Sequence, residues 1–229
     1  MATYGSDEEQ VEALKRWWDD NGTSLLVGVG LVLAVFFGVR QWQSSQAATN
    51  GTASDLYQQI SELALANVTQ TIPEDDLLAV QPAFSTLKTE HPDSIYTRYA
   101  ALAMARFQVE HDQLDLAAAD LQWILDNPKL GVMTEADEEL FLTAKLRLAR
   151  VKLAQGMAQE ALDMIKATEP GAFAGNYAEV EGDALVILGQ PEAARTAYQR
   201  ALEENLTGNP VLLQLKLQDL GVSSVVEAL

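Results

Sequence analysis

An all-α chain is predicted, with one N-terminal transmembrane helix followed by a solenoid of about four helical hairpins and a C-terminal capping helix. Three observations carry this reading. A 19-residue run from Asn21 to Val39 has no charge, residues after 54 are rich in Ala, Leu, Gln and Glu, and small residues recur there at intervals of 33, 34 and 44.

The N-terminal segment, residues 1–22, is expected to be cytoplasmic. It carries six acidic residues and two basic ones, Lys15 and Arg16. Residues 23–40 read as a membrane span: Leu25 to Val39 is almost wholly apolar, and as a helix the uncharged run reaches about 28 Å, close to the hydrocarbon thickness of a bilayer. Trp17, Trp18 and Trp42, with Arg40, bracket it at the depths where indole rings and basic side chains settle. A buried core helix is the competing reading. Ser45-Gln46-Ala47 has the spacing of a signal-peptidase site, but the acidic leader and the intervening Arg40 and Trp42 favour an uncleaved anchor. Basic residues set orientation, and Lys15 and Arg16 before the span against Arg40 after it favour a cytoplasmic N-terminus and a translocated body. Gly30, Ala34 and Gly38 form one small-residue stripe on which a partner membrane helix could pack closely.

Residues 41–54 turn small and polar and read as a tether. The body, 55–229, is punctuated by Pro73, Pro92, Pro128, Gly156, Pro170, Gly189 and Pro210. Its sharpest repeat is Gly182, Gly189, Ala194, Tyr198 and Ala201, the small-residue and aromatic spacing of a tetratricopeptide hairpin. A small residue on the first helix lets the second cross it, Gly makes the turn, and alanines on the second helix admit the next hairpin. Ala149, Gly156 and Ala161 precede this set by 33 residues, Ala105 and Ala117 lie 44 before Ala149 and Ala161, and Ala83 lies 34 before Ala117. Four hairpins follow, with about ten extra residues in a loop from Asp126 to Glu138. A plain helical bundle with coincident alanines is the alternative. The segment Pro210 to Leu220 reads as a capping helix that stops before Gly221.

Composition narrows the function. There is no cysteine, which removes disulfides, thiolate zinc sites and cysteine nucleophiles, and His91 and His111 are too few for a three-histidine metal site. Both histidines sit at helix ends or turns. Acidic pairs such as Asp75-Asp76, Glu138-Glu139 and Glu203-Glu204 are adjacent residues that diverge on a helix, so no catalytic pair, cofactor or enzyme activity is expected. A net charge of −18 excludes nucleic acid as a partner, and the body alone, with 27 acids against 12 bases, is repelled by anionic lipid surfaces. Membrane lipid is met by the anchor only. Aromatic side chains on the predicted helices default to core packing; if some face a groove, Tyr57, Tyr96, Tyr99 and Tyr177 are the candidates to hold a peptide.

Three blocks add a family resemblance: Gln10 to Trp18 with Asn21-Gly22, Leu146-Arg147-Leu148-Ala149-Arg150-Val151, and the hairpin Gly182 to Leu202. Together they resemble the YfgM-type ancillary subunits of the bacterial Sec translocon. The resemblance implies an inner-membrane protein with a periplasmic tetratricopeptide-like domain. It further implies association with the SecYEG channel and with the membrane-anchored prolyl isomerase chaperone PpiD, and a link to the Rcs stress-response regulator. A scaffold subunit of another envelope assembly would share the same architecture.

Overall fold

The computed structural model describes residues 36–37, 40, 51–65, 71–128, 135–204 and 210–226, and all regular structure among them is helical. The chain divides into two compact units, Met1–Thr52 and Ala53–Leu229. In the first, Phe36, Phe37 and Arg40 are helical and exposed, and the two rings meet edge to face at 5.6 Å. No helix among the described residues is long and apolar enough to cross a membrane. Apart from those three residues the expected span lies outside the described residues, as do Trp17, Trp18, Gly30, Ala34, Gly38 and Trp42.

Helix α1 covers residues 51–65, so helix already occupies 51–54, which composition had placed in the tether. The reason is tertiary: Ala53 is fully buried in one core with Ile60, and burial overrides weak local propensity. Helix α2, Glu74–Glu90, starts after Pro73 with Glu74, Asp75 and Asp76 in its first turn, where carboxylates face the positive end of the helix dipole. Pro82 lies within α2 on its exposed side, where water can satisfy the carbonyl it leaves unbonded. Helix α3, Ile95–Glu110, is capped by Ser94, whose Oγ accepts from the Tyr96 amide at 3.3 Å.

Helix α4 runs Leu114–Asp126 and α5 runs Glu135–Ala154. The long connection predicted from Asp126 to Glu138 is therefore shorter at its far end. Residues 135–138, with three acids among four, open a helix instead, which suits negative charge at an N-terminus. Helix α6, Ala158–Lys166, leads through a 3-10 turn at Gly171–Phe173 to α7, Ala174–Ile187, and α8, Pro191–Glu204. Helix α9 covers Pro210–Val226 and continues through Gly221, where the sequence predicted an end; an isolated Gly costs a helix only about 1 kcal/mol.

The turns α3/α4, α5/α6 and α7/α8 share one geometry. Asp112, Gly156 and Gly189 sit at φ 58°, 80° and 70°, in the left-handed region. In each turn the next amide reaches back five residues: Gln113 to the Gln108 carbonyl at 2.8 Å, Met157 to Lys152 at 2.8 Å and Gln190 to Leu185 at 2.9 Å. This is a Schellman closure, which satisfies carbonyls orphaned at a helix end.

Consecutive helices pack on one another from α2 to α9, and α5 also touches α7. One core joins α1 through α5, a second joins α5, α6 and α7, and a third holds α6 to α9 together. Buried polar groups fix the register of the first core. Asp120 accepts from Lys88 Nζ of α2 at 2.9 Å and from Gln108 Nε2 of α3 at 2.8 Å, so its desolvated carboxylate is satisfied from both sides. Arg98, only 2% exposed, donates to the Asp93 and Asn127 carbonyls, each at 3.1 Å, and ties the entry of α3 to the exit of α4.

Candidate protein-interaction surface

The repeat residues occupy packing positions in the second unit. Ala83, Ala105, Ala117, Ala149, Ala161, Ala194 and Ala201 are buried, all at 7% exposure or less. Gly156 and Gly189 make turns, as described above. Gly182 has a different task, because a methyl there would overlap the ring of Tyr198. Tyr198 lies flat across that gap from α8, and its hydroxyl donates to Asp183 Oδ1 at 2.7 Å. Burial first, then that bond and the charges of Asp183 and Glu179, push the phenol pKa far up. Helix α9 closes the same corner: Lys216 Nζ donates to Asp183 at 2.7 Å and Glu179 at 2.8 Å, and lies 5.5 Å over the Tyr198 ring. Burial lowers the Lys216 pKa, but the two carboxylates outweigh it and the net shift is upward. These residues hold the stack together and are not free to take a ligand.

The two histidines sit at helix ends. His91 caps α2, its amide bonding the Leu87 carbonyl at 3.0 Å and its carbonyl accepting from Thr97 Oγ1 at 2.6 Å. His111 Nε2 lies 2.8 Å from the Ile72 carbonyl, which can only accept, so that nitrogen carries the proton. Among the described residues no three acidic or histidine side chains converge as a metal site.

Of the four candidate tyrosines, three meet and one does not. Tyr57 of α1 stacks obliquely against Tyr96 and Tyr99 of α3, with centroids 5.8 and 6.2 Å apart. Tyr99 is 38% exposed and the other two are half-buried against the core, so the cluster is partly open to solvent. Burial and the nearby Tyr99 raise the Tyr57 pKa, which keeps that phenol neutral. Tyr177 departs from expectation. It is 2% exposed, its hydroxyl donates to the Leu142 carbonyl at 2.9 Å, and burial pushes its pKa up to about 12. The side chain joins α5 to α7 inside the core, so its position along the helix could not reveal which way it faced.

A second feature escaped the sequence reading. Tyr99, Ala103, Arg106 and Glu110 succeed one another on α3 at steps of four, three and four, which places them on one helical face. Beyond the tyrosines this face borders a cleft of about 410 Å³ between α3, α4 and α5, floored by Val109, Leu114, Leu121 and Val151. Arg106, Arg147 and Arg150 stand around it. Arg106 Nε donates to Glu110 Oε1 at 2.7 Å, and Arg147 Nη1 donates to the Leu102 carbonyl at 3.2 Å. Desolvation, then the charges of Arg150 and Arg106, pull the Arg147 pKa down. The signal was present in the Leu146 to Val151 block, where two arginines sit one helical step apart; the contribution of Arg106 from another hairpin was not readable.

The tetratricopeptide repeat-like domain family matches residues 15–222. The chain is 31% identical over 225 residues to the ancillary SecYEG translocon subunit of Escherichia coli (strain K12), covering 97% of this chain and 100% of that protein. It is 27% identical to the protein of the same name from Aggregatibacter actinomycetemcomitans and 26% to that from Neisseria gonorrhoeae, each covering 96% of this chain and 100% of the relative. No solved structure matches.

Proposed function

Because the chain belongs to the family of ancillary SecYEG translocon subunits, we propose that it is a non-catalytic adaptor of the Sec translocon. The apolar segment 23–40 anchors it in the inner membrane with the N-terminus in the cytoplasm. Its tetratricopeptide-like domain lies in the periplasm and binds a periplasmic chaperone or proteins leaving the channel. The observation that carries the reading is the extent of the match, which covers residues 23–40 as well as the repeats. The supporting chemistry is that the repeat residues serve packing, while an aromatic cluster and an apolar cleft stay accessible. Resemblance to the YfgM type makes PpiD the chaperone we assign, with the Rcs regulator a further partner.

Crosslinking in native membranes tests this. A photoreactive residue at Ala34 is expected to label a Sec channel component, and mild-detergent purification to recover the channel and the chaperone. Labelling of lipid alone, or recovery of a different envelope assembly without the channel, would overturn it. A C-terminal alkaline phosphatase fusion is expected to be active, and an inactive fusion with an active cytoplasmic reporter at the same place would reverse the orientation.

A further inference from the structure

The cleft between α3, α4 and α5 is an isolated cationic site on an acidic domain. Residues 41–229 hold 27 acids and 12 bases, yet three of those bases, Arg106, Arg147 and Arg150, border one apolar cleft. Only Glu110 among the lining residues opposes them, and it is bonded to Arg106. Arg147 spends a donor on a backbone carbonyl, and it makes no ion pair among the described residues. Arg150 is exposed and makes no ion pair or hydrogen bond among the described residues. Arg147 and Arg150 stand beside Arg106 with no carboxylate paired to either among the described residues; the guanidinium groups repel one another, and an incoming anion relieves that repulsion. The downward pull on Arg147 by its two neighbours is the same effect seen from one member.

The floor narrows the ligand further. Val109, 43% exposed, and Leu114, Leu121 and Val151 make it apolar, and a cleft of about 410 Å³ accepts one or two large aliphatic side chains. A free phosphate would use the arginines and leave the floor wet. An anionic bilayer would use both, but the surrounding charge of about −15 opposes approach to such a surface. A peptide segment that carries Leu-type side chains beside carboxylates uses both and can enter alone.

We propose that the Arg106, Arg147 and Arg150 cleft docks an acidic, leucine-bearing peptide segment of a partner protein. Planar guanidinium groups pair with its carboxylates while its aliphatic side chains fill the floor. The proposal deepens the adaptor reading and rests on it, since it names the chemistry of the segment the adaptor would hold. The tyrosines at the other end of the same α3 face extend the contact for a segment longer than the cleft.

Fluorescence anisotropy on the full chain in detergent tests it, with two labelled peptides that share their leucines and differ only in glutamate against glutamine. The glutamate peptide is expected to bind more tightly by roughly tenfold or more, and added salt to reduce the difference. The double change Arg147→Glu and Arg150→Glu is expected to abolish the preference with helical content unchanged, whereas Arg147→Lys and Arg150→Lys retains part of it. Equal binding of both peptides, an unaltered preference in the folded glutamate variant, or displacement of the peptide by short-chain phosphatidylglycerol more readily than by the unlabelled peptide would overturn the proposal. Copurification of the wild-type chain with the channel separates the two readings: channel recovered while the wild-type chain binds both peptides alike removes the cleft proposal alone, whereas wild-type chain without channel removes the adaptor reading whatever the peptide does.

Discussion

Gly182 and Tyr198 behave as one packing unit, because the ring occupies the volume any larger side chain at 182 would need. Gly182→Ala is expected to destabilise the domain by about 1–3 kcal/mol through overpacking, read as a lower urea midpoint at unchanged slope. Adding Tyr198→Leu should recover part of that loss, so the double variant costs less than the sum of the singles. The three left-handed turn residues make a second comparison. Gly156→Ala places a Cβ where φ is 80° and should cost about 1 kcal/mol, while Asp112→Gly relieves strain at φ 58° and should raise stability by a few tenths to about 1 kcal/mol. Thermal melts of the two variants check both signs. Gly156 and Gly189 were legible as turns because glycine is the default residue in that conformation. Asp112, 44 residues before Gly156, occupies the same place and was hidden by its side chain, since Asp tolerates the left-handed region without announcing it.

Helix boundaries depend on contacts that single positions do not reveal. The hairpin spacing could be read because small residues must recur wherever helices cross closely, and Ala117, Ala161 and Ala194 all lie in the core. The start of α1 and the end of α9 could not, since Ala53 is held by burial and α9 by Lys216. The capping helix also buries Leu213 and Leu220 while leaving Val211, Leu212 and Leu215 exposed, an asymmetry that its nearly continuous apolar sequence conceals. Its dock and the α5/α7 joint share a pH response. Tyr177 ionises near 10 when unfolded and at about 12 when folded, so its contribution is complete below pH 10 and is lost as pH rises toward 12. Tyr198 and Lys216 are shifted the same way, and their contributions fail in the same direction. Stability should therefore fall above about pH 10, by about 1.4 kcal/mol per pH unit for each tyrosine still protonated in the folded state. Urea titrations across that range should show it, and Tyr177→Phe should flatten the slope.

At the scale of the whole chain, the proposed adaptor role depends on what the domain presents to a partner. The acidic body and the apolar segment were evident from charge and hydropathy, whereas the arginine cleft exists only once α3 and α5 are brought side by side. Arg98 adds a consequence of another kind. By gripping carbonyls at both Asp93 and Asn127, it closes the α3/α4 hairpin upon itself before the chain passes on to α5. The hairpin is therefore complete at Asn127, ahead of the connection to α5. The extra length of the 44-residue interval, beside intervals of 33 and 34, falls between α4 and α5, after that closure, and an epitope or reporter spliced in there is expected to leave the rows of helices on either side in place.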